Sequence, residues 1–217
     1  MPRAANAIDF WRGFALVTIF INHIPGNFFE HFTHRNIGLS DSAELFVFLA
    51  GWGLQIVAAR YGDDLKYLMW WLGNRVLKIY SAQILIISLA IALLAAASIY
   101  FDNPLLTTWH NAEAVFYDPV RANIGLVTLS HQLGYFNILP LYVVLTAVTP
   151  LIVLIDRYAA RALLPISFAI YILALVFETN LPTWPVKGQW FFNPLTWQFI
   201  FVLGYVIGRN SDGIFNP

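Results

Sequence analysis

The chain has no cysteine among its 217 residues, which excludes disulfides, thiolate catalysis and cysteine-based zinc sites. Charge is nearly as scarce. Only 11% of the residues are Asp, Glu, Lys or Arg, where a soluble domain carries roughly a quarter. The 12 basic side chains are matched by 12 acidic ones, and no basic block with interleaved aromatics stands outside the apolar segments. Nucleic acid is therefore excluded as a partner. The first apolar run is not expected to be a cleavable signal, since it is interrupted by Arg12 and followed by IPGN rather than a small-x-small site. The sequence shows no internal repeat and no low-complexity linker.

What is present is apolar: 59% of the residues are hydrophobic and 17% aromatic, with a mean hydropathy of +0.65. The composition predicts an integral membrane protein, a single all-α polytopic bundle over residues 1–217. A crossing helix needs about 20 mostly apolar residues. Six segments approach this, at 10–29, 43–60, 76–100, 137–155, 162–178 and 194–209. Arg3, Arg12, Arg60, Lys66, Arg75, Lys78, Arg157, Arg161 and Arg209 fall on one side of such a bundle, and Arg35, Arg121 and Lys187 on the other. The excess of cations marks the cytoplasmic side, so both termini are expected there. The connection over 101–136 is too long for a plain turn. Its stretch ANIGLVTLSHQLGYF is amphipathic enough to lie in the outer interface or to dip back into the protein.

The first segment, DFWRGFALVTIFINHIPGN, raises the functional question. Arg12 and His23 stand eleven residues apart, which in a helix is three turns plus about 20° and a rise of roughly 16–17 Å. Arg12, Leu16, Ile19 and His23 would share one face. Arg12 is read either as a snorkelling anchor at the headgroups or as a functional cation. His23 is read either as an interfacial residue, like His31 and His34, or as a site residue facing the bundle interior.

Segment two opens SDSAELFVFLAG and places Asp41 and Glu44 on the same side as His23. A carboxylate beside an imidazole fixes its tautomer and raises its basicity. The competing role is local: Asp41 as a helix N-cap and Glu44 as an anion favoured by the helix dipole. On the opposite side, Arg75 and Lys78 lie three apart on one helix face. They serve either as anchors beside Trp70 and Trp71 or, with Arg12, as cations for a phosphorylated cofactor. Gln83, Asn137 and Gln198 are candidates for a cavity wall or for helix–helix hydrogen bonds. His131 and Gln132, with Trp109, Trp184 and Trp190, are candidates for contact with a sugar, the tryptophans equally for an aromatic belt.

An Arg, ten residues and a His in the first helix resemble the hallmark of the membrane-bound acyltransferase-3 superfamily, and Arg75, Lys78 and Tyr80 resemble its basic pattern, with Lys78 replacing a usual Arg. More specifically, IDFWRGFALVTIFINHIPGN, SDSAELFVFLAG, FNILPLYVVL and FNPLTWQFIFVLG resemble the OpgC protein family, associated with succinylation of osmoregulated periplasmic glucans. The resemblance implies an inner-membrane acyltransferase that takes an acyl group, succinyl by association, from cytoplasmic acyl-CoA to hydroxyls of a periplasmic glucan. It implies His23 as the catalytic histidine and Arg12 as the residue associated with the acyl donor; the residues themselves add Asp41 and Glu44 beside His23, and Arg75 and Lys78 on the donor side. No metal is expected. The chemistry suits these residues: esterifying a sugar hydroxyl needs a general base that titrates near neutrality, as imidazole does.

The resemblance also implies relatives with further helices after the matched region, so the chain is expected to be a fragment or a shortened version. Two other functions compete. One is a proton-coupled transporter or flippase using His23 and Glu44 as a relay; the other is an inactive or truncated membrane subunit. Nothing in the residues selects the acyl group, the acceptor or the oligomeric state.

Overall fold

The computed structural model describes residues 7–24, 26–33 and 41–210. Arg3, Pro25, His34 and Arg35 lie outside them. The described chain is mostly helical. In order it forms α1 (Ala7–Asn22), a 3-10 turn (Phe28–Phe32), α2 (Ser42–Tyr61), α3 (Leu65–Tyr100), a 3-10 segment (Pro104–Asn111), α4 (Glu113–Tyr117), α5 (Pro119–Val127) and α6 (Ile138–Val176). The two-residue strands β1 (Pro182–Thr183) and β2 (Gly188–Gln189) then pair antiparallel, and α7 (Pro194–Asn210) follows.

Three helices, α2, α3 and α6, are long and apolar enough to cross a membrane. The sequence predicted six crossings. Helices α1 and α7 run for 16 and 17 residues, roughly 24–26 Å, against a hydrocarbon core of about 30 Å. The two segments expected at 137–155 and 162–178 form one element, α6, with a single non-helical residue at Ala159 (φ −148°, ψ 50°). The linking sequence DRYAARA holds no Gly, Pro or Asn, so helix continues up to the break on both sides. Helix α3 begins eleven residues before the expected position 76, at Leu65, because the Asp64 carboxylate accepts a hydrogen bond from the Tyr67 amide (3.0 Å) and starts the helix there.

The chain divides into two compact units. The first comprises Met1–Leu68, Leu151–Tyr171 and Trp197–Pro217. Its helices approach through glycines. A Cβ on Gly51 of α2 would lie 1.9 Å from the Phe201 carbonyl oxygen of α7, and one on Gly204 would lie 2.0 Å from that of Phe48. Gly208, four residues after Gly204, meets the Trp52 indole in the same way (2.7 Å). This is the small-xxx-small contact by which membrane helices pack backbone against backbone. Around it Val47, Ala50, Leu54, Phe201 and Val202 are buried. Ser167 Oγ donates to Gln198 Oε1 (2.6 Å), and Gln198 Nε2 returns a bond to the Ser167 carbonyl (2.8 Å). Gln198 is thus a helix–helix tie.

The second unit comprises Met69–Pro150 and Ile172–Thr196. Residues 101–136 fold back along α3. Ala112, Leu126 and Leu133 bury against Ile87, with Ile84, Ile91 and Leu94 around them. The Tyr80 hydroxyl donates to the Val127 carbonyl (2.8 Å), roughly 30 Å of helix from Tyr100, where the segment begins. Gln83 Nε2 donates to the Phe136 carbonyl (3.1 Å). Of the two placements open in the sequence, the segment dips back into the protein. Trp190 joins Leu129 and Val143 in a buried cluster on Val76 and Ile79, so it is a core residue.

Candidate functional site

Arg12 sits in α1, half-buried, and α1 packs against α2. Its guanidinium lies against Gly53: a Cβ there would be 3.2 Å from Nη2 and 3.3 Å from Nη1. Gly53 is therefore the gap through which Arg12 reaches the α2 backbone.

His23 lies one residue beyond α1, where the sequence had placed it inside a longer helix. The reason is local capping. The Asn27 side-chain amide donates to the Ile21 and Ile24 carbonyls (2.8 and 2.6 Å), and Gly26 takes a left-handed conformation (φ 70°). These groups satisfy carbonyls that a continuing helix would have used. His23 contributes as well, its Nδ1 standing 2.6 Å from the Ile19 carbonyl oxygen. A carbonyl only accepts, so Nδ1 carries the proton and Nε2 presents its lone pair. The ring is exposed. One residue earlier, the half-buried Asn22 carries an amide with neither Oδ1 nor Nδ2 bonded. Sequence reasoning passed over Asn22, which reads as one more polar residue near a helix end.

Asp41 and Glu44 form a capping box at the start of α2. Asp41 Oδ1 accepts from the Ser42 amide (2.6 Å), and Glu44 Oε2 accepts from the Asp41 amide (3.0 Å). The local role weighed for Asp41 is present, and Glu44 shares it. With Arg12 anchored at Gly53, helical rise puts His23 roughly 16–17 Å from that anchor, and Glu44 and Asp41 roughly 13–18 Å along α2.

Arg75 and Lys78 are exposed on α3 in the second unit. The Arg75 guanidinium stands 5.8 Å from the centre of the Trp71 ring, a cation–π contact. His131 and Gln132 are buried rather than presented to a ligand at the surface. Burial lowers the His131 pKa below the usual 6.5, opposed in part by the Asn111 backbone. Trp109 and Trp184 remain exposed. Asn137 caps α6 without a side-chain hydrogen bond.

The sequence did not point to a cleft of about 370 Å³ in the first unit, lined by α2, α6 and α7. Tyr205 Oη donates to Asp156 Oδ2 (3.4 Å), Arg209 pairs with the same carboxylate, and Arg157 Nη1 donates to the Gly62 carbonyl (3.1 Å). Among the described residues no group of three or more His, Cys, Asp or Glu is placed to hold a metal.

Compared with known proteins, residues 3–214 match the family model described as OpgC protein. No curated protein and no solved structure matches the chain.

Proposed function

The chain belongs to the OpgC protein family, and from that premise we propose that it is a membrane-bound O-acyltransferase acting across the bacterial inner membrane. Membership implies a part in glucan modification, and three long apolar helices mark a membrane protein. In our reading the acyl group, succinyl by family association, passes from cytoplasmic acyl-CoA to a hydroxyl of a periplasmic glucan. Six crossings carry the chain, with α1 and α7 as the first and last and α6 divided at Ala159, and both termini are cytoplasmic.

The observation that carries this reading is the exposed His23 imidazole, its Nδ1 held by the Ile19 carbonyl, which selects the tautomer with Nε2 as the basic nitrogen. Nε2 takes the proton of the attacking sugar hydroxyl as the oxygen bonds to the thioester carbonyl carbon. The tetrahedral intermediate then expels the CoA thiolate, the carbon–sulfur bond breaks, and the imidazolium returns the proton to sulfur. Ester and free CoA result, and His23 ends as it began. A general base of this kind contributes roughly 10²–10⁴-fold.

Arg12 is the proposed donor contact of the first unit, about 16–17 Å of helix from His23, a span suited to an extended thioester arm. Arg75 and Lys78 are the proposed donor cations of the second unit. Asp41 and Glu44 support His23 by fixing the start of α2 at its level. The test is the mass of glucan recovered from cells expressing the chain or His23→Ala. Acyl substituents that appear with the native chain and vanish with the variant support the reading; equal substitution with both refutes it.

A further inference from the structure

The cleft of the first unit has a floor, a deep end and a mouth of different chemistry. Gln55, Ala58 and Ala59 of α2 supply one wall, the spacing of 3 and 4 residues putting them on one helix face, and Gly62 and Asp63 continue it just past the helix end. The small side chains of Ala58 and Ala59 leave room there that larger ones would fill. At the deep end Gln55 is 4% exposed, and its Oε1 has no hydrogen-bond partner. A buried carbonyl oxygen left unpaired costs about 1–3 kcal/mol, so the position calls for a donor from outside the chain. Towards the mouth Arg157 is exposed, with one Nη held by Gly62 and its other guanidinium donors available for an anion. The Asp156 carboxylate is already engaged by Arg209 and Tyr205.

We propose that this cleft receives the adenine nucleotide end of the donor thioester, an assignment that rests on the acyl-CoA reading above. A flat heteroaromatic ring fits the wall of Ala58, Ala59 and Gly62. The edge of adenine offers an amine donor beside a ring-nitrogen acceptor, so it satisfies a carboxamide in either orientation. The phosphates then leave towards Arg157, whose planar fork suits their oxygens. The volume is at the lower end for ligand pockets, as expected for one end of a long ligand. Arg12 is a separate determinant. It meets α2 at Gly53, two residues and roughly 200° of helix rotation from Gln55.

The test is photolabelling of the purified full chain with 8-azido-ADP, followed by peptide mapping, with excess acetyl-CoA as competitor. Label on peptides carrying 55–63, 153–157 or 205–209, removed by the competitor, is the expected result. Saturable label elsewhere, or none, overturns the assignment. In parallel, Gln55→Met should weaken acetyl-CoA binding roughly tenfold, with Gln55→Glu as a second variant should the first fail to fold. Unchanged binding by both Gln55 variants also overturns it. Glucan acylation that depends on His23, with label outside the cleft, sinks this assignment and spares the acyltransferase reading. Label in the cleft without any acylation does the reverse.

Discussion

The glycine contacts of α2 with α7 and the fold-back segment over 101–136 reach close packing by opposite means. In the first unit the backbone is regular helix, its polar groups are bonded within each helix, and closeness comes from missing side chains at Gly51, Gly204 and Gly208. In the fold-back segment of the second unit the backbone is irregular. His110, Asn111, Leu129 and Tyr135 all have positive φ, a conformation that is uncommon for residues other than glycine. The polar groups there are satisfied one at a time: Asn111 Nδ2 donates to the Gln132 carbonyl, the Gly134 amide to His110, and Ser130 Oγ to Trp184. Irregular backbone buried against protein persists only where partners meet its polar groups. One region therefore tolerates no added atoms, and the other tolerates no lost hydrogen bonds.

Substitutions at four positions sharpen this contrast. Gly51→Ala should be the most damaging, because its Cβ would lie 1.9 Å from a backbone oxygen that no rotamer change can move. The expected loss is at the upper end of the roughly 1–3 kcal/mol typical of overpacking, read as a fall in Tm in detergent. Gly125→Ala should follow. Its Cβ would meet the Trp184 oxygen at 2.5 Å and His131 Cβ at 2.7 Å, at a cost of about 1–2 kcal/mol. Hydrogen exchange should speed up at 110–135 and not in α2, which an equal effect in both regions would contradict.

A smaller effect comes from pH. Burial depresses the His131 pKa below 6.5, so the unfolded chain binds the proton better than the folded one. The stabilising contribution of neutral His131 is complete above that ordinary value and is lost as the pH falls through it towards the folded value. The Tm should drop as the pH falls below 6.5, and His131→Gln should flatten the drop. The smallest effect should have the opposite sign. Gly73 of α3 has nothing within 4 Å of a Cβ position, so Gly73→Ala should raise stability by about 0.5–1 kcal/mol through helix propensity. A loss there would mean that α3 is more closely covered than its exposed face indicates.

These regions also separate what sequence makes legible from what it does not. Helix α2 falls within one residue of its expected limits, because a capping box marks its start and the apolar run stops where the helix does. Helix α3 runs past its apolar stretch, since hydropathy records hydrocarbon and not helix propensity. The fold-back of 101–136 depends on Tyr80 and Gln83 finding carbonyls some fifty residues away, and no local pattern encodes that. Arg12 and His23 stand out by spacing, as ionisable groups bracketing an apolar run. The Gly204-x-x-x-Gly208 signal was open to reading, whereas its partner Gly51 is set by tertiary packing. The cleft owes its room to the small side chains of Ala58 and Ala59, and absence of side-chain volume leaves no mark in a motif.

The central claim is that His23 drives acyl transfer across the bilayer. Its most direct test reconstitutes the native chain and His23→Ala in oriented vesicles, with labelled succinyl-CoA on the side of Arg12 and glucan on the other. Label reaching the glucan with the native chain, and falling by roughly 10²–10⁴-fold in the variant, is the predicted result. Equal transfer by the two proteins, or none by either, would contradict it.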